Sequence, residues 1–139
     1  MNKKHFVEFN IGDSESFEFH ITESVVDSFA QLSGDYNPLH MDDAYAKQTL
    51  FKGRVAHGMI GASLFSQLVG MHLPGQYCLF LSQTLNFKKP ILLGAKVLVS
   101  GEVLSKVDAF HALEIKTTIS DVKTKEVLID GKALVQLLA

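Results

Sequence analysis

His57-Gly58-Met59-Ile60-Gly61-Ala62-Ser63-Leu64-Phe65-Ser66-Gln67-Leu68-Val69 decides the fold, because its apolar residues fall on more than one side of a helix. Such a helix is a buried one and needs apolar cover in several directions. Downstream, past a Pro74-Gly75 turn, four runs have strand character: Tyr77–Phe87, Ala95–Val107, Phe110–Val122 and Val127–Leu138. In the second, Ala95, Val97, Val99, Val103 and Val107 alternate with Lys96, Ser100, Glu102 and Lys106, the period of a half-buried antiparallel strand. Val127, Ile129, Ala133, Val135 and Leu137 repeat the pattern. Long antiparallel strands beside one buried helix predict an α+β architecture, a strongly curved sheet wrapped around that helix. An early strand near Glu15–His20 is expected to join the sheet.

The 139 residues suit one domain spanning 1–139, and no repeat or low-complexity linker divides them. A formal net charge of −2, from 13 Lys+Arg and 15 Asp+Glu spread along the chain, argues against a nucleic-acid partner or a basic membrane-binding face. Cys78 is the only cysteine, which excludes an internal disulfide and a multi-cysteine zinc site. Glu8 and Asn10 interrupt what would be the apolar core of a signal peptide, and no run reaches the roughly 18 apolar residues of a membrane helix. The expectation is a soluble, cytoplasmic protein whose partner is a small ligand or another protein.

Upstream of the central helix, Thr22 is placed to cap a first helix, with Ile21 and Val26 as a hydrophobic staple. Val25, Val26, Phe29, Ala30 and Leu32 form its apolar face, and Gly34 is its left-handed stop. Asp35 therefore sits just past a helix end. A short helix from Asp42 or Asp43 to about Gln48 follows, with Asp42 as cap. Between them lies Ser33-Gly34-Asp35-Tyr36-Asn37-Pro38-Leu39-His40. Proline fixes its own φ and biases Asn37 toward an extended conformation, so Asp35 and His40 are held on a stiff local step where both can address one water molecule.

That segment resembles the signature of the MaoC-like, or type 2, (R)-specific enoyl-CoA hydratases, in which Gly-Asp-x-Asn-Pro-hydrophobic-His follows a helix. The likeness continues through Val55-Ala56-His57-Gly58-Met59 and Leu81-Ser82-Gln83-Thr84-Leu85-Asn86-Phe87-Lys88-Lys89-Pro90, and spans roughly Ile21 to Val99. It implies the hotdog fold, a homodimer with sheets joined edge to edge, an acyl-CoA thioester substrate and no cofactor. By matching positions it gives Asp35 and His40 the catalytic roles and the Gly58 amide the oxyanion role. It also places Asn37 and Ser66 in contact with substrate.

The chemistry makes the same demand. Hydrating an enoyl thioester needs a base for the attacking water, an acid for C2 and a donor for charge on the thioester oxygen. Histidine, titrating near about 6.5 when unperturbed, suits the base; a carboxyl acting as acid would have to be lifted by burial from about 3.9. The reverse assignment satisfies the same balance. The first amide of a buried helix has no earlier helical carbonyl to bond and lies at the positive end of the dipole.

Plainer readings stand beside these. Gly34-Asp35 alone is a helix stop; His57 is as well read as a structural group orienting the loop before Gly58 as a reactive one. His5, His20, His72 and His111 carry no assigned chemistry. No His-x-x-x-His pair or comparable ligand set points to a metal, and Gly61-Ala62-Ser63-Leu64-Phe65-Ser66 lacks the second glycine of a nucleophile elbow. Lys47, Lys52, Arg54, Lys88 and Lys89 can meet coenzyme A phosphates or be solvated charges. The rival functions are dehydration of a 3-hydroxyacyl group on acyl carrier protein, thioester hydrolysis, and acyl-CoA binding without chemistry.

Overall fold

A computed structural model describes residues Met1–Ala139. Its sheet has six strands: β1 (Ser14–His20), β2 (Cys78–Gln83), β3 (Asn86–Phe87), β4 (Lys96–Val107), β5 (Ala112–Asp121) and β6 (Val127–Leu137). The spatial order is β1-β4-β5-β6-β2, with β3 continuing the β2 ribbon along β6, and every pairing is antiparallel. Helix α1 (Glu23–Ser33) follows β1, two short helices α2 (Pro38–Met41) and α3 (Asp43–Lys47) come next, and α4 (Gly58–Gln67) runs on through a π-helical turn, Leu68–His72.

The local signals act as their chemistry dictates. Thr22 Oγ1 accepts from the Val25 amide, Gly34 closes α1 with φ 76°, and Asp42 Oδ1 accepts from the Tyr45 amide. One helix was not anticipated: Asn37 accepts from the Leu39 amide and Pro38 opens a turn of helix that carries His40. Proline's fixed φ suits the first helical position, so the stiff step between Asp35 and His40 is a capped turn. The expected strand Tyr77–Phe87 is broken at Thr84-Leu85, where the Thr84 amide donates to the Lys132 carbonyl and Thr84 Oγ1 accepts from the Lys132 amide.

Ile60, Leu64, Phe65 and Leu68 seat α4 on Val97, Val99, Ile119 and Ile129 of β4, β5 and β6, with Val26 of α1 closing that cluster. Gly61 permits the approach, since a Cβ there would lie 2.5 Å from Ile129 Cδ1. A second cluster joins Phe6, Phe9, Val69, Leu73, Val103, Leu113, Ile115 and Val135. Between Ile115 and Ile119, buried Thr117 accepts from Gln83 Nε2.

Two expectations need correction. The central helix is not enclosed: the sheet covers one side, and Met59 (53% exposed), Ser63, Ser66 and Gln67 remain open in the single chain. Leu32 is 84% exposed and does not belong to the buried face of α1, which rests on Val26 and Ala30. The sheet is curved and antiparallel around α4, the hotdog arrangement.

A Cβ at Gly131 would overlap the Thr84 carbonyl oxygen, a backbone atom with no freedom to move aside. Gly131→Ala is expected to lower stability by about 1–3 kcal/mol, read from the urea midpoint at unchanged slope.

Candidate active site

Gly34 ends α1 and swings the chain so that Asp35 and Tyr36 lead into α2. The Asp35 amide donates to Ser33 Oγ at 3.1 Å, and Asp35 Oδ1 accepts from the Asn37 amide at 3.1 Å. Oδ2 is left facing His40, 3.8 Å from Nε2. His40 Nδ1 lies 2.6 Å from the Val55 carbonyl oxygen. A carbonyl only accepts, so Nδ1 carries a hydrogen and the Nε2 lone pair of the neutral ring is turned toward Asp35. A group held in that tautomer can take a proton from a water that the carboxylate also holds.

The segment before α4 is sewn to α2. The Val55 amide donates to the Leu39 carbonyl, and Arg54 Nε donates to the His40 carbonyl. The Arg54 guanidinium also meets Glu23 at 3.2 Å and Asp27 at 3.4 Å, two acids four residues apart on α1. Arg54 is buried and does not offer its charge to a ligand, contrary to its sequence reading as a solvated charge or phosphate contact. The signal was present: Glu23 and Asp27 share a helix face and supply the two partners a guanidinium fork needs. Lys88 and Lys89 are also engaged, with Asp130 at 2.9 Å and Glu126 at 2.6 Å. The Lys88 ammonium bonded to Asp130, aided by Asn86, holds that carboxyl below the usual carboxylate range.

His57 is buried beneath the dyad. Its Nε2 donates to the Asp35 carbonyl at 2.8 Å, and its ring centroid is 4.1 Å from that of His40. Asp35, His40 and His57 thus bring ligand-capable atoms within 4.8 Å of one another, although one nitrogen of each ring is already committed to a carbonyl. Gly58 opens α4, so its amide has no intrahelical acceptor. A Cβ on Gly58 would lie 2.9 Å from the Phe87 ring. Glycine here makes room for Phe87 of β3, a reason sequence reasoning did not supply.

The remaining candidates separate. Asn37 spends its side-chain oxygen on the α2 cap. Ser63 and Ser66 both lie on the open side of α4, and only Ser63 borders a groove of about 280 Å³ lined by Phe19, Val25, Phe29, Leu32, Ile60 and Leu64. Of the apolar residues of the central helix, Phe65, Leu68 and Val69 are buried in the core, while Ile60 and Leu64 reach this groove. Phe29 connects it to the dyad by packing on His57 at 5.0 Å. A larger cleft of about 460 Å³ beside Phe51, Lys89 and Leu92 includes none of these residues.

Residues 9–126 match the family model described as a MaoC like domain. The chain belongs to the MaoC-like family. This MaoC-like chain is 36% identical over 133 residues to a 3-hydroxybutyryl-CoA dehydratase of Methylorubrum extorquens, covering 96% of the chain and 83% of that protein. It is 36% identical over 135 residues to an (R)-specific enoyl-CoA hydratase of Rhodospirillum rubrum, covering 97% and 92%. Among solved structures, it superposes on an (R)-hydratase from A. caviae involved in PHA biosynthesis with TM-score 0.91 at 35% identity, covering 94% of this chain and 98% of that one.

Arg54→Met removes the donor to the His40 carbonyl. Because Glu23 and Asp27 are largely solvated, most of the expected loss, about 2 kcal/mol, comes from that buried bond. Urea titration of the variant against the parent measures it.

Proposed function

We propose that this MaoC-like protein is an (R)-specific 2-enoyl-CoA hydratase, a hydro-lyase that reversibly converts trans-2-enoyl-CoA to (R)-3-hydroxyacyl-CoA. The observation that carries the reading is the pairing of His40 Nε2 with Asp35 Oδ2 at 3.8 Å, with the His40 tautomer set by Val55. Two atoms at that separation both reach a water lying beside the line between them. His40 withdraws a proton as the water oxygen bonds to C3. The π pair moves through C2 toward the thioester oxygen, where the Gly58 amide receives the charge, and a proton returned through Asp35 completes the bond at C2. Water adds as H and OH, so the atoms balance and no redox partner or cofactor enters.

Asp35 is the less buried partner. Its side chain is 50% exposed in the single chain, without the burial that an acid role asks for. Bound acyl-CoA and a second copy of the chain are the natural sources of that cover. The groove beside Phe29 suits the acyl chain, with Asn37 and Ser66 kept as weaker substrate contacts. The likeness to the A. caviae hydratase supports a place in polyester precursor supply.

A homodimer accords with the edge position of β2, whose Leu79, Phe80 and Leu81 are exposed, and with the open side of α4. One domain covers residues 1–139 in this reading. No helix is long and apolar enough to cross a membrane.

Asp35→Asn and His40→Ala are each expected to slow crotonyl-CoA hydration by about 10²–10⁴-fold with the circular dichroism spectrum retained. Near-parental turnover in both would defeat the assignment. Rates on CoA and carrier-protein thioesters of one acyl group separate the hydratase from the carrier-protein dehydratase, and the former is expected to be faster. Sedimentation velocity should give twice the 15.3 kDa chain mass; a monomer at micromolar concentration would count against the edge-to-edge pairing.

A further inference from the structure

The hydratase reading employs Asp35, His40 and Gly58 and leaves the histidine among them without a task. We infer that His57 is a positioning residue that fixes the register between the Asp35–His40 dyad and the Gly58 amide, acting through the Asp35 main chain and the His40 ring. The inference rests on the hydratase reading and deepens it.

Three contacts support it. The bonds that Asp35 makes through its amide and Oδ1 are local, reaching Ser33 and Asn37. Its carbonyl alone is tied to a distant element, accepting from His57 Nε2 across 22 residues of sequence. The His57 ring then lies against His40, tilted by 31°, with Phe29 on it at 58°. Since His57 immediately precedes Gly58, one side chain joins the carboxylate loop, the imidazole and the first amide of α4.

The same geometry argues against a proton-transfer role. Nε2 is committed to a carbonyl, and Nδ1 is enclosed with no hydrogen-bond partner. The residue is 2% exposed. With Nε2 bonded to a main-chain carbonyl and Nδ1 buried, the ring is built into the framework of the site and presents neither nitrogen at its surface. What it supplies is distance. Addition across the double bond needs the dyad at C3 and C2 while the amide holds the thioester oxygen, and a displacement of about 1 Å between them costs on the order of 10²-fold.

Substituting amides tests this, because the glutamine amide nitrogen reaches about where Nε2 lies, whereas that of asparagine stops near Nδ1. Crotonyl-CoA hydration is measured for the parent and for His57→Gln, His57→Asn and His57→Leu, with thermal unfolding recorded for each. His57→Gln is expected to stay within about 5-fold of the parent kcat, while His57→Asn and His57→Leu fall on the order of 10²-fold with KM changed less than about 3-fold. Asparagine or leucine near parental kcat, glutamine as slow as leucine, or loss of the folded state in all three would overturn the inference. If leucine alone fails to fold, the glutamine and asparagine pair decides. An inactive parent would overturn the hydratase reading and the inference together; an active parent with indifferent variants removes the inference alone.

Discussion

The bond from His40 Nδ1 to the Val55 carbonyl sets the chemical character of the centre. It selects which imidazole nitrogen bears hydrogen, turns the other toward Asp35, and does so from a backbone atom that side-chain motion cannot displace. Val55 holds its place because its amide is bonded to the Leu39 carbonyl and because it forms an isolated antiparallel bridge with Leu92, in the segment between β3 and β4. The His40 ring is thereby tied to the segments around Val55 and Leu92 as well as to the turn that carries it.

Much of this was legible in the sequence for identifiable reasons. Caps at Thr22 and Asp42 and the left-handed stop at Gly34 are local chemistry, and the alternation in β4 and β6 reports one buried face; such signals need no knowledge of the rest of the chain. That Asp35 and His40 lie close together was legible because five residues and a proline confine them to one another's neighbourhood. Arg54 was missed because its partners are 31 and 27 residues away, so the acidic pair on α1 could be read without showing which cation it meets. The orientation of α4 was overestimated for a related reason. Apolar residues on several sides show that a helix needs cover, but not whether its own sheet provides all of it.

Ser66 and Ser63 show how fine the remaining ambiguity is. They are three positions apart and both exposed, yet only Ser63 borders the groove against α1. Helix rotation is set by how Ile60, Leu64, Phe65 and Leu68 seat on the strands, a packing solution that no periodicity specifies to within tens of degrees.

The position of β6 has a consequence for how the molecule comes into being. It is the last strand in sequence, yet it lies inside the sheet, between β5 and the β2–β3 ribbon. During synthesis that ribbon leaves the ribosome well before the strand it must pair with, so Phe87 cannot settle against Gly58 until the C-terminal strand has been delivered and docked. The contact between Phe87 and the start of α4 is thus a late product of assembly, formed after the segment that carries Asp35 and His40 has already been made.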